Sequence, residues 1–264
     1  MSFKKVGIFI ISRINSKRLP KKATLKVGKD NLIEFLYKRL KLCFDNNQIV
    51  ICTNSLRGKE FYKSISQRYK IKIFFGENTN VLKRIIKCME KYNFRNFARV
   101  TGDNPLTDPF ALKSLINNHL KNKNDYTFTS SLPSGLRAEV FSLTALKKAE
   151  KNIIDHNSTE YLTFYFKRKD YFKTEDVKFK KFFFNEPNYS ISIDYLKDYV
   201  LLKNLLKKNN NRYNISRKLI SFFLKNNTKP IKLINEVPLK TYKYDVSFKG
   251  DKKKILNISK QQLV

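Results

Sequence analysis

The chain has 264 residues, 55 Lys+Arg against 22 Asp+Glu, and a formal net charge of +33. No apolar run approaches the ~18 residues of a membrane helix, which excludes a spanning segment. The cysteines, Cys43, Cys52 and Cys88, form neither a CxxC pair nor an even framework, which excludes a disulfide scaffold. That cysteine usage predicts a reduced, cytoplasmic protein. "MSFKKVGIFIIS" has neither the apolar length nor the cleavage site of a signal peptide. The cations are spread along the whole chain among many Asn, Ile and Phe residues, as biased coding produces, so no specific nucleic-acid partner is expected. The charge does favour polyanionic ligands through steering.

In chain order, apolar β-forming runs fall at 6–12, 48–53, 71–76 and 97–102. Helical patterns lie between them at 31–44, 58–70 and 80–92. In the first of these, Leu32, Phe35, Leu36, Leu40 and Phe44 share one face. Short strands alternating with such helices predict βαβ units and a mostly parallel sheet flanked by helices, an α/β fold. A helix over 109–122 opens on Pro109. The rhythm then changes to strands at 125–131 and 137–142, helices near 143–152 and 158–168, and a strand at 189–194. Helices at 195–208 and 215–227 follow, and the weakly periodic remainder reads as an extended arm. The expected organisation is one domain over 1–227, with a strand–helix insertion at about 125–185, and a C-terminal arm over 228–264.

Ligands of open parallel sheets sit beyond the carboxyl ends of the strands, and three motifs fall there. The loop after the first strand, "SRINSKRLPKK", carries Arg13, Ser16, Lys17, Arg18, Lys21 and Lys22. It has no glycine before Gly28, so its side chains rather than its backbone would meet a phosphate. The competing reading is a solvated basic loop. Asp103 follows the strand "FARVTG", where a carboxylate could hold Mg²⁺ beside phosphate oxygens; ordinary turn chemistry would also place Asp there. Asp108 reads as the N-cap before Pro109. Asp194 ends the 189–194 run, and local sequence favours it as the N-cap of helix 195–208. Its position at a second strand end also allows it to share a metal with Asp103. The two histidines, His119 and His156, are too few for a zinc site, and His119 is expected on a helix surface. The aromatics are expected in the core or at a subunit contact.

These motifs together resemble the cytidylyltransferases that activate acidic sugars. "IISRINSKRLPKKATLK" is similar to the signature R-x-x-S-x-R-L-P-x-K of the CMP-ulosonate and CMP-acylneuraminate synthetases, most closely the spore-coat polysaccharide protein F group. "VICTN", "FFGENTNVLKR", "RVTGDNPLTDP", "GLRAEVF", "STEYLT" and "SIDYLKD" continue the likeness in order, over roughly 6–208. The resemblance implies a Rossmann-like nucleotidyltransferase fold, a homodimer, CTP and an acidic sugar as substrates, and Mg²⁺ as cofactor. It assigns Ser12, Arg13, Ser16, Arg18, Lys22, Thr53 and Thr101 to the nucleotide, and Asp103 and Asp194 to the metal. Gly135, Arg137, Glu139 and Glu160 fall to the acceptor, and Arg13, Lys22 and Asp103 carry the catalytic roles. The sequence departs from the pattern at Lys21 (usually Gly), Arg137 (acidic), Tyr161 (His), Thr79–Asn80 (an acidic pair) and Tyr195-Leu196-Lys197 within "DTPED". The departures cluster on the acceptor side. Use of another NTP or a non-sugar acceptor, and nucleotide binding without turnover, remain the alternatives.

Overall fold

In a computed structural model the described residues are 5–16, 18–54, 58–154, 156, 159, 162–179, 189–210, 212–228, 241–251 and 256–260. The expected alternation forms. Strands β1 (Val6–Ser12), β4 (Ile49–Asn54), β5 (Lys72–Gly76) and β6 (Asn96–Thr101) pair in parallel in the order β5-β4-β1-β6. Between β1 and β4 lie the two-residue strands β2 (Lys26–Val27) and β3 (Asp30–Asn31) and helix α1 (Leu32–Leu40). Helices α2 (Lys59–Tyr69) and α3 (Val81–Lys91) precede β5 and β6, and α4 (Pro109–Asn122) follows.

β1 is apolar from Val6 to Ile11 because both its faces are covered. Ile8 and Ile10 join the cluster beneath α1 and α4, while Phe9 points the other way, among Leu82, Ile85 and Phe97. α1 starts on a capping box: the Asn31 side chain accepts from the Glu34 N–H at 2.9 Å, and Glu34 accepts from the Asn31 N–H at 3.0 Å. It ends at Leu40 rather than Phe44. The next N–H groups of Leu42 and Cys43 reach back three residues, tightening the last turn while Phe44 stays buried.

The segment read as an insertion completes the sheet. Strand β8 (Glu139–Ser142) pairs antiparallel with β6, β7 (Tyr126–Phe128) pairs antiparallel with β8, and β9 (Thr174–Asp176) pairs parallel with β7. Helix α5 (Leu143–Asn152) forms as expected, but α6 is short, Leu162–Phe166. The strand expected at 189–194 reduces to one bridge, Ser134 with Ser190. Its N–H groups are taken by loops instead: Ile191 N donates to Ser134 O at 2.9 Å, and Ile193 N to Asp103 O at 2.8 Å. Helices α7 (Leu196–Lys208) and α8 (Arg217–Asn227) close the domain.

The C-terminal region differs from an extended arm. β10 (Thr241–Asp245) and β11 (Leu256–Lys260) pair antiparallel, and the residues after β10 dock on the domain. Phe248 is buried with its ring stacked on Tyr171 at 4.1 Å, and Arg168 binds Asp251 at 2.5 Å. His119 lies in the core, 1% exposed, rather than on a surface. Its ring meets the Thr127 hydroxyl at 2.9 Å and Asn96 Oδ1 at 3.2 Å, and burial pushes its pKa down to about 4. An imidazole with two polar partners satisfies burial without charge. No described helix is long and apolar enough to cross a membrane.

Candidate active site

The cationic loop is organised by its own short-range bonds. Leu19 N donates to Ser16 Oγ at 3.4 Å, and Lys22 N to Leu19 O at 3.3 Å. Lys21 takes a left-handed conformation (φ 52°) that costs a side-chain-bearing residue ~1–2 kcal/mol. That explains a glycine in the pattern the sequence resembles, and Lys21 adopts the same backbone at a cost. Residues 22–24 then form one turn of 3₁₀ helix, with Ala23 buried beneath it. The base of Lys22 is therefore fixed while its long side chain is free to reach.

It reaches the aspartates. Lys22 Nζ lies 3.2 Å from Asp103 Oδ2, 3.2 Å from Asp194 Oδ1 and 2.8 Å from Ile193 O. Arg18 adds a second contact, Nη2 to Asp194 Oδ1 at 2.8 Å, with its guanidinium 5.7 Å from the Tyr195 ring centre. Arg18 and Lys22 of the loop thus meet Asp103 and Asp194 at one point. Two features of the fold bring them there. Gly102 N donates to Ile11 O at 2.8 Å, holding the β6 end against β1; a Cβ on Gly102 would sit 2.7 Å from Ser12 Oγ. The Ile193–Asp103 backbone bond brings the 189–194 segment to the same end.

Asp194 is not the N-cap that its local sequence suggests. Asp198 Oδ2 accepts from the N–H groups of both Asp194 and Tyr195, at 2.9 and 2.8 Å, and Tyr195 occupies the cap position. The Asp194 carboxylate is thereby released toward Lys22. Asp108 does cap α4, accepting from Phe110 N and Ala111 N at 2.9 Å each.

Of the hydroxyls assigned to the nucleotide, those of Ser12, Ser16 and Thr101 have protein partners, while the buried Thr53 Oγ1 has no hydrogen-bond partner among the described residues. Ser12 Oγ lies 2.8 Å from the Tyr62 hydroxyl, whose pKa burial pushes up to about 12 against the pull of Ser12 and Thr53. Thr53 is fully buried, and Thr101 Oγ1 accepts from Asn104 Nδ2 at 2.9 Å. Arg13 is exposed at the start of the loop. Lys17 and Glu160 lie outside the described residues.

Beside Asp103 opens a cleft of about 380 Å³, walled by Thr129, Ser130, Arg137, Lys167 and Ser192. Its floor is a network that sequence reasoning missed. Arg99 Nη1 binds Glu139 Oε2 at 2.7 Å, while Tyr126 and Thr163 donate to Glu139 Oε1 at 2.5 and 2.6 Å. Burial alone would raise the Glu139 pKa, but Arg99, Thr163 and Tyr126 outweigh it and hold the carboxyl below its usual range. Arg99 moves up in turn, Glu139 outweighing its own desolvation. The available signal was Arg99 itself, a full charge inside an apolar strand pattern. Arg137, one wall of the cleft, has its pKa lowered by burial, with Asp176 and Glu139 opposing; its Nε donates to Leu132 O.

Gly135 serves close backbone approach. It sits at φ 93°, and a Cβ there would fall 2.6 Å from the Ile191 carbonyl carbon and 2.7 Å from Ser192 N. Gly135→Ala is expected to destabilise the fold by about 2 kcal/mol and to lower turnover, because the segment it would push carries Asp194. Thermal melts with parallel rate measurements check this.

Among the described residues no group of three or more His, Cys, Asp or Glu stands together to hold a metal. Among those residues the candidate metal position is the Asp103–Asp194 pair, whose oxygen donors suit a hard divalent cation that completes its shell with water and phosphate.

Comparison with known proteins identifies the family and the fold. Residues 8–243 match the family described as cytidylyltransferase. An uncharacterized protein of Methanocaldococcus jannaschii is 30% identical over 90% of this chain and 97% of its own. The spore coat polysaccharide biosynthesis protein SpsF of Bacillus subtilis is 27% identical over 79% of this chain and 90% of its own. Among solved structures, a cytidylyltransferase from Leptospira borgpetersenii superposes with a TM-score of 0.75 at 25% identity, covering 84% of this chain and 94% of that one.

Proposed function

The chain belongs to the cytidylyltransferase family, and from that premise we propose that it transfers CMP from CTP to a hydroxyl of an acidic sugar, of ulosonic or nonulosonic type, releasing pyrophosphate for surface polysaccharide assembly. The observation that carries the reading is the meeting of Lys22, Asp103 and Asp194 at the carboxyl end of the sheet. SpsF, by its name a protein of polysaccharide biosynthesis, supports the biological setting.

The acceptor hydroxyl oxygen attacks the α-phosphorus in line and its proton passes to solvent. The bond to the β-phosphate oxygen breaks, and its electron pair leaves with pyrophosphate. The chain's work is to position the reactants and neutralise charge. Arg13, Ser16 and Arg18 on the loop hold the phosphates; a planar guanidinium fits them bidentately. Asp103 and Asp194 would hold Mg²⁺, which when bound supplies charge neutralisation at the α-phosphate and a lower pKa for the attacking hydroxyl. Glu139, already accepting from three groups, shapes the cleft floor. Arg137 and Lys167 give the cleft wall the positive charge that an acceptor carboxylate requires.

Arg137→Glu is expected to raise the acceptor KM by roughly a hundredfold while leaving the KM for CTP within a factor of about three. An unchanged acceptor KM removes Arg137 from this role. The overall reading is tested by incubating the protein with Mg²⁺, CTP and a panel of ulosonic acids, then scoring CMP conjugates by mass spectrometry. Pyrophosphate release is compared across all four NTPs. Conjugates formed faster with another NTP, or none with any acid, overturn it. A homodimer belongs to the same reading, and light scattering at the mass of two chains checks it.

A further inference from the structure

We infer that Lys22 is a placeholder cation: its ammonium holds the position between Asp103 and Asp194 until nucleotide arrives, so that a divalent metal enters together with the triphosphate rather than ahead of it. This rests on Asp103 and Asp194 being the metal carboxylates.

The argument starts from donor arithmetic. An ammonium has three N–H donors and no acceptor. Those of Lys22 go to Asp103 Oδ2, Asp194 Oδ1 and Ile193 O, leaving none for a phosphate. The side chain is only 13% exposed, against 32% and 27% for the two carboxylates, so the ammonium is the more enclosed partner. A lysine placed this way cannot also grip the β- or γ-phosphate, the role its place in the loop motif implies. It must choose one set of partners.

The local backbone permits the exchange. Lys22 is anchored at its main chain by bonds to Leu19 O and from Leu25 N, with Ala23 packed beneath. Its four-carbon stem is the flexible part. If the ammonium swings to an arriving phosphate, two carboxylates that converge on one point lose their counter-ion, and a divalent cation restores the balance. Without nucleotide, a metal must displace a cation that already satisfies both carboxylates. Arg18 acts in the same sense at Asp194, on that one carboxylate, and it too leaves Asp194 when it turns to the phosphates.

A purely structural ion pair, stapling the loop to the sheet end, would look similar in one structure, but it behaves differently on mutation. The test is Mn²⁺ binding measured by EPR of the free ion, with no nucleotide present, on the full chain. Lys22→Met is expected to bind Mn²⁺ on the order of tenfold or more tightly than the unaltered protein, with Lys22→Gln as a polar, uncharged second variant should Met fail to fold. The gain should vanish when Asp194→Asn is added to either. Equal Mn²⁺ affinity with and without Lys22, lost in both cases on Asp103→Asn, overturns the placeholder and leaves the metal site standing. Mn²⁺ binding indifferent to Asp103 and Asp194 in every background overturns the metal reading, and the placeholder with it.

Discussion

Asp103→Asn is expected to lower turnover with CTP by roughly a thousandfold, and Asp194→Asn by a similar factor. Asn keeps the shape of the side chain and an oxygen that can still accept from Lys22, but it removes the charge. Phosphoryl transfer depends on charge neutralisation at the reacting phosphate, so the loss falls on the chemical step. Stability should hardly change. Both carboxylates are about a third exposed, and screened ion pairs of this kind contribute about 1 kcal/mol or less. The expected signature is a collapsed kcat for pyrophosphate release with a near-normal melting curve. A loss of turnover under about threefold in either variant would remove that aspartate from the site.

The second large effect concerns stability. Arg99→Met strips Glu139 of its cation while leaving the carboxylate among Tyr126 and Thr163. Removing one partner of a buried pair costs about 3–5 kcal/mol, and the lower end is expected because the Glu139 side chain keeps 16% exposure toward the cleft. The pH dependence has a definite sign. In the unaltered protein the Glu139 pKa is depressed, so its contribution is present above the unfolded carboxylate value and is lost as pH falls through the folded one. In Arg99→Met the desolvation of Glu139 is far less opposed and its pKa moves up. The variant then gains relative stability as the carboxyl protonates, and the deficit narrows between pH 7 and pH 5. Urea unfolding at the two pH values measures it; a deficit that widens toward acid contradicts the assignment. The double variant Arg99→Met/Glu139→Gln should be less damaged than the single, since no unpaired charge is left behind.

The residues that gather around Lys22 were legible because each sits beyond a strand or strand-like run within a distinctive stretch. The loop "SRINSKRLPKK" after β1 and "TGDNP" after β6 announce themselves by charge and turn chemistry placed where a parallel sheet binds ligands. The cleft beside Asp103 was less legible. Glu139 could be picked out, but its commitment to Arg99, Tyr126 and Thr163 joins three separate elements, and no local pattern encodes such a network. Tyr62 was hidden for a similar reason: on α2 it reads as one more core aromatic until the Ser12 hydroxyl is found beside it.

By itself the sequence determined the α/β alternation, the capping of α4, and the chemical character of the loop, because periodicity, caps and turn residues act over a few positions. Tertiary structure alone decided three matters. Asp194 points at Lys22 because Asp198 takes over the N-terminal hydrogen bonds of α7. The 189–194 run stays out of the sheet because Ser134 and Asp103 supply its backbone partners. The segment after β10 belongs to the core because Phe248 finds Tyr171. Each depends on which distant group satisfies a donor, a carboxylate or an apolar ring, and contacts across so many residues leave no periodic trace in the chain.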